Sequence, residues 1–510
     1  MGTRGLWNLR VNGRWYRSYH SRMRITPPDN EYTLERVRKL LDKIETIDSW
    51  EAIPFPSPIH FTIDYVLTVN CDEGTFTVSL RRTVNDVSTP MEIRLNTDSL
   101  RTATAETVRH MLSSPQHIQD RIPTPIVDIQ AQQSITGILE LRFGSPTGLN
   151  EIQERMFTDL VFTWRFHIDY PLTWSYNCAA FRVLTMAFLR IAAWDLEVTS
   201  NDAPDLPIGY TSIPSWSSPV MNVFWFHGYL VVLQADIKPD AMRCRAIEKA
   251  KAYLGKPMIS SRNLSLILMS PYHVAFAQLS QDSVLCTDSL TLVANPSAIR
   301  CSPGFRALSR VLTHQSWTKP NLCRESWQFG LPVELLQMIF RASHPRDTVA
   351  LAQSSFSTQR HYYNMVPQFG DLTVQTFKSS IPCCGQRVSL GPNDVSCSSC
   401  YAWQHLKCAG LTSHPGDGYI CSNCQEGGAN SGHIPGWIHA TSRRHEREGI
   451  PVLINGSVKT LKQRTSKPLH QRREIGITPQ ATPRQSDQVD YTLVFNGIFT
   501  GLAYGLDNRS

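Results

Sequence analysis

Cys397-x-x-Cys400 and Cys421-x-x-Cys424 bracket His405 and Cys408 within 28 residues of each other in this chain. Two residues between paired cysteines give a tight turn that can aim both thiolates at one ion, and two such pairs supply the four donors a tetrahedral zinc site needs. The chain has 13 cysteines, and seven lie between Cys383 and Cys424; the other six, Cys71, Cys178, Cys244, Cys286, Cys301 and Cys323, are scattered. A disulfide framework would not distribute them so unevenly in a chain of 510 residues, whereas a local metal site would. A segment this short cannot bury enough apolar surface to fold alone, so metal is expected to supply the folding energy.

Around the ligands the sequence reads CSSCYAWQHLKCAGL. It resembles a PHD finger, whose pattern runs C-x-x-C-x-x-W-x-H-x-x-C-x-G-L, through Trp403, His405, Cys408, Gly410 and Leu411; Tyr419 stands where the family packs an aromatic. The resemblance implies two zinc ions in a cross-braced arrangement. Cys397, Cys400, Cys421 and Cys424 would hold one, and Cys383, Cys384, His405 and Cys408 the other. Cys383 and Cys384 are adjacent where the family separates its first pair, so the second site is the one open to a missing ligand. Many PHD fingers read a histone tail, and trimethyl-lysine readers cage the cation with aromatic rings. Trp403 falls at a cage position, and Asp394 where readers often carry Met. These two are the peptide-contact candidates, with Trp403 equally readable as core. A RING finger is the alternative for the same ligand types, but the Trp two residues before the His and the Gly-Leu after Cys408 favour PHD.

Upstream, residues 331–363 begin LPVELLQMIF. Pro332 suits a helix start, where its missing N–H costs nothing. Leu335, Leu336, Ile339 and Phe340 recur at helical spacing, and Asp347 can cap a second helix carrying Val349, Leu351 and Ala352. A helical hairpin packed on its neighbours would satisfy this pattern. The residues also resemble an F-box, matching at Leu331, Pro332, Glu334, Leu335, Leu336, Ile339, Phe340, Asp347, Leu351, Ala352 and Ser355, with Ser354 where the family has Val. That resemblance implies docking on the Skp adaptor of a cullin ubiquitin ligase through Leu331, Pro332, Leu335 and Ile339, with an unidentified protein as the target.

The first 312 residues read as an α+β domain. A helix is expected over Thr33–Trp50, and strands at IDYVLTV and GTFTVSL around the turn Asp72-Glu73-Gly74. Helices are expected over 150–195, then a Pro-rich loop near 204–219, a strand at VFWFHGYLVVLQ, a helix over Ala241–Tyr253, and strands at LSLILMS and HVAFAQLS. Parts of this region, and the closing VDYTLVFNGIFTGLAYGL, resemble fungal F-box proteins with no known activity. No P-loop, G-x-G-x-x-G, G-x-S-x-G or H-E-x-x-H is present. His167 with Asp169, and His227, read as structural histidines; Cys178 and Cys286 are candidate nucleophiles without a family signature. An enzyme in this region therefore stands as an alternative carried by size alone.

The expected fold is multidomain: an α+β domain over 1–312, an all-α F-box unit over 325–368, a zinc-bound finger over 380–427, a disordered basic linker over 428–488, and an apolar C-terminal segment over 489–510 that docks back as a strand or short helix. A net charge of +7 is too weak to argue for nucleic acid, and the finger itself is neutral. Only the basic stretch from Arg443, Arg444 and Arg447 through Lys459, Lys462, Arg464 and Lys467 to Arg472 and Arg473 could tether nucleic acid or act as a nuclear signal. No apolar run spans a bilayer; Ala179–Trp194 carries Arg182 and Arg190 and reads as a buried amphipathic helix. With no signal-peptide pattern at MGTRGLWNLR, the protein is expected inside the cell, in the nucleus rather than the cytoplasm, as a non-enzymatic adaptor.

Overall fold

The structure is a computed structural model. It describes residues 3–18, 24–42, 50–59, 63–84, 87–113, 116–117, 135–141, 143, 148–170, 172–200, 213–255, 264–281, 283–293, 301–313, 331–343, 347–348, 351, 358, 368–369, 372–377, 394–416, 418–425, 450–454, 457–464 and 491–507. Across these the chain is a multi-sheet α+β protein.

The N-terminal sheet is built around hairpins. Asn12 and Gly13 take the left-handed conformation, at φ 50° and 74°, so strand Thr3–Val11 turns directly into Arg14–Ser18. Asp72 clasps that turn, accepting the Asn12 and Gly13 amides at 2.7 Å each. Tyr65–Asn70 pairs in parallel with Thr3–Val11 and antiparallel with Thr75–Val84 across the expected turn. The expected helix is shorter than the sequence pattern. It runs Glu31–Leu41, is capped by Asn30, and lays Leu34, Val37 and Leu40 against Trp7, Leu9, Leu67 and Phe76. Trp50, read as its last residue, instead opens strand Trp50–Ile53. Two arginines of these first strands pair locally, Arg10 with Asp72 and Glu73 and Arg17 with Glu51.

The main core lies between helices and two further sheets. Helices Gly148–Thr163, Ala179–Ala192 and Pro303–Thr313 pack together under the strands Tyr229–Leu233, Leu264–Met269 and His273–Leu279. Tyr229–Leu233 and Leu264–Met269 are parallel, joined through helix Asp240–Leu254, whose Ile247, Ala250 and Leu254 cover the opposite sheet face. Ala179–Ala192 is the expected buried helix; Arg190 bonds Asp195 at 2.9 Å and Arg182 bonds the Val220 carbonyl at 2.7 Å. No helix among the described residues is long and apolar enough to cross a membrane.

Glycine fixes one close approach. Gly304, in the first turn of Pro303–Thr313, would place a Cβ 2.7 Å from the Thr291 carbonyl oxygen and 2.9 Å from the Leu292 Cα. Backbone atoms cannot swing aside, so Gly304→Ala should lower stability by about 1–3 kcal/mol, read as a fall in the urea midpoint.

The largest departure from the expected organisation is the third sheet. Its strands run, in spatial order, Glu197–Ser200, Tyr491–Phe495, Ile498–Asp507, Ser457–Arg464, Ile450–Ile454, Leu372–Phe377 and Gln368–Phe369. The C-terminal segment does dock back, as a hairpin turning at Asn496-Gly497 (φ 51° and 78°). Tyr491, Leu493, Phe495, Leu502 and Tyr504 join the main core, and the Trp164 indole bonds the Thr500 carbonyl at 2.9 Å. The linker expected to be disordered contains the hairpin Ile450–Ile454/Ser457–Arg464. Its Leu461 is buried, and Lys459, Lys462 and Arg464 sit on a strand instead of a solvated tether. The continuous apolar run IPVLI and a partner sheet override the polar composition. Arg443, Arg444, Arg447, Lys467, Arg472 and Arg473 lie outside the described residues.

No separate all-α unit is evident over 325–368. Among the described residues this region holds helix Val333–Ala342, with Asp347, Thr348, Leu351 and Thr358 helical beyond it. Its apolar stripe is divided: Leu336 and Phe340 are buried against Leu351, while Leu335 is 45% and Ile339 40% exposed.

One half-buried carboxylate, Asp195, gives a pH prediction. Burial alone would raise the Asp195 carboxyl, but hydrogen bonds from His227 and Arg190 outweigh it and hold the group below its usual range. A depressed carboxylate stabilises the fold above its unfolded value near pH 4 and loses that contribution as pH falls through the folded value. Asp195→Asn should therefore flatten the acid limb of the stability–pH curve below about pH 4, checked by urea unfolding across pH 2.5–7.

Candidate metal centre

The finger is built on a small hairpin. Asp394–Ser396 pairs antiparallel with Trp403–His405, in the register Ser396↔Trp403 and Asp394↔His405. Cys397 leaves the first strand into a tight turn: its amide bonds the Ala402 carbonyl at 2.9 Å, and the Tyr401 amide bonds the Cys397 carbonyl at 2.8 Å. Tyr401 takes φ 55° to close that turn. The second pair arrives on a short helical turn, Ser422–Gln425. The Ser398 amide bonds the Tyr419 carbonyl at 2.8 Å and the Tyr419 hydroxyl bonds Gln404 at 2.9 Å, clamping the two cysteine turns together.

The four sulfurs of Cys397, Cys400, Cys421 and Cys424 all lie within 4.8 Å of one another. Cys397 and Cys424 are 3.7 Å apart, Cys400 and Cys421 3.8 Å. A zinc ion with four sulfurs at about 2.3 Å in tetrahedral array sets neighbouring sulfurs about 3.8 Å apart. Disulfides would need about 2.0 Å, and all four thiols are free. The geometry thus fits one tetrahedral ion such as zinc. The Cys421 amide donates to the Cys397 sulfur at 3.3 Å, a bond that favours thiolate. The Cys397 thiol is pushed down to about 4, first by the hydrogen bond from Cys400 and then by backbone amides of Cys421, Cys400 and Ser399, against the cost of burial. Cys400, which lends that proton, moves up, and burial raises Cys424 to about 11. A divalent ion at the centre would displace the shared protons and hold all four sulfurs as thiolates.

His405 and Cys408 meet separately, Nδ1 to Sγ at 3.8 Å, with Cys408 exposed and His405 half-buried. They are two of the four ligands expected for a second ion; the other two, Cys383 and Cys384, lie outside the described residues. Trp403 is buried, 6% exposed, with its ring edge-on to His405 at 5.0 Å, so it serves as core. Asp394 contributes backbone pairing opposite His405.

Comparison with known proteins leaves the geometry to speak for itself. No family model matches the chain, and neither the curated proteins nor the solved structures contain a match.

Burial pushes Cys178 up to about 11 and Cys286 up to about 12, so both are protonated thiols at neutral pH. His167 is buried edge-on to Phe55 at 5.5 Å, and His227 forms the left-handed turn His227-Gly228 beside Asp195. The finger's attachment to the body was not legible from sequence. Tyr401 packs edge-on to Phe143 at 5.3 Å, and Arg306 donates to the Cys400 carbonyl at 3.3 Å.

Proposed function

We propose that this protein is a substrate adaptor that couples a Skp–cullin ubiquitin ligase to a protein target, with the finger a zinc-stabilised module attached to its body. The observation that supports the first half is the solvent-facing side of helix Val333–Ala342. Leu335 (45%), Met338 (64%) and Ile339 (40%) are exposed there, as is Leu331 (41%) just before the helix, and three of these four are positions at which the sequence resembles an F-box contact surface. Three large apolar side chains in water on one helix with a fourth leading into it, while Leu336 and Phe340 anchor the helix from behind, are what helix-in-groove docking requires.

The finger supports a PHD-like reading through its ligand order and its four-sulfur geometry. Histone-tail reading gains less: a buried Trp403 offers no open ring face to a methyl-ammonium group.

The test is co-purification of the full chain with a Skp subunit. The wild-type chain should retain it. Leu335→Asp, which leaves Leu336 and Phe340 in place, should weaken binding at least about 30-fold, since a buried unpaired charge at an interface centre costs 2 kcal/mol or more. Retention of the Skp subunit by that variant at wild-type affinity would refute the adaptor reading.

A further inference from the structure

Helix Pro303–Thr313 carries two arginines one turn apart, and both are inside the protein. Arg306 is 8% exposed and Arg310 1%. Among the described residues, the acid paired with them is Glu154, 3.3 Å from Arg306 Nε. One carboxylate leaves this pair with a surplus positive charge. Arg310 Nε and Nη1 have no hydrogen-bond acceptor among the described residues, and its guanidinium stands 5.8 Å from the Phe143 ring centre. Burying such a cation is costly unless something negative compensates it. What lies beyond is the finger's first cysteine turn. Arg306 Nη1 bonds the carbonyl of Cys400, and Tyr401 packs on Phe143.

A divalent ion on four thiolates carries two surplus negative charges. It is the group whose sign and place match the surplus on the helix. We propose that Arg306 and Arg310 are positioning residues for the zinc tetrathiolate. Their charge balances the centre through the Cys400 turn, and metal loading in return latches the finger onto the body. Metal occupancy and docking are then one linked equilibrium: each strengthens the other by the same factor. Glu154 competes with the tetrathiolate for the two cations.

The proposal rests on the metal reading of Cys397, Cys400, Cys421 and Cys424, and its test separates the two. Purified full chain is titrated with zinc against a chromophoric chelator, and thermal unfolding is followed with and without metal. In R310M the zinc dissociation constant should rise about 10-fold or more, the usual effect of losing a group that supports metal ligands; R310K, which keeps the charge, should stay within about threefold. E154Q should do the reverse of a merely damaging substitution: the metal-free chain becomes less stable, while the zinc-induced rise in Tm grows beyond that of wild type. If R310M does not fold, E154Q decides alone. Unchanged zinc affinity in folded R310M, or a zinc-induced rise in E154Q no larger than wild type, overturns the proposal. A wild-type chain that takes up no zinc overturns the metal reading and the proposal with it.

Discussion

A chain ending at residue 488 is expected to fail to fold. The hairpin Tyr491–Phe495/Ile498–Asp507 is not an appendage: Leu493, Phe495, Leu502 and Tyr504 are each 1% exposed or less, within the core formed by helices Gly148–Thr163 and Ala179–Ala192. Four large side chains at about 1.5–3 kcal/mol each approach the whole net stability of a domain, about 5–15 kcal/mol. Removal also strips the Trp164 indole of its acceptor at Thr500 and Asp159 of its bond from the Tyr504 hydroxyl, 3.2 Å long. The expected result is insoluble protein or a collapsed state without cooperative unfolding. Phe495→Ala is the milder version; it should cost about 3–5 kcal/mol, read from urea unfolding. Wild-type behaviour of the truncated chain would mean that residues 1–312 form the independent domain their composition suggested.

The second large effect is expected at the metal centre. Cys421→Ser removes one sulfur and the 3.8 Å partner of Cys400. Structural zinc contributes roughly 10–16 kcal/mol of apparent binding energy in small finger peptides, and that energy is folding energy. The variant should lose the metal and open the finger, exposing the Tyr401–Phe143 contact and the arginines behind it. Limited proteolysis should then cut between residues 394 and 425, where zinc-loaded wild type resists. Chelation of wild type should reproduce the pattern, and acid should too, because protons compete with the ion for thiolate.

Local chemistry was legible in the sequence wherever the signal was local. The C-x-x-C pairs announced convergent sulfurs because two intervening residues define a turn. β-branched runs broken by Asp72-Glu73-Gly74 announced the strands on either side. Apolar spacing announced Ala179–Ala192 and Asp240–Leu254. What failed was connectivity. Strand Glu197–Ser200 finds its partner nearly 300 residues away, Glu197 opposite Val494, and nothing in a four-residue strand encodes so distant a pairing. The hairpin Ile450–Ile454/Ser457–Arg464 was masked by the basic composition around it, although IPVLI is a continuous apolar run. Asn12-Gly13 and Asn496-Gly497, each between apolar runs, are strong hairpin signals that would have fixed both turns. The arginines on Pro303–Thr313 were invisible for another reason. In sequence they are ordinary charges on an amphipathic helix; only the fold shows both buried, facing the finger.

The most direct test of this account is the zinc content of the purified full chain, measured by mass spectrometry of the metal beside Cys397→Ser and His405→Ala variants. At least one tightly held zinc is expected per wild-type chain. Cys397→Ser should lose that ion while His405→Ala keeps it. A folded wild-type chain that holds no zinc and takes none up, or a Cys397→Ser chain with wild-type zinc content, would contradict it.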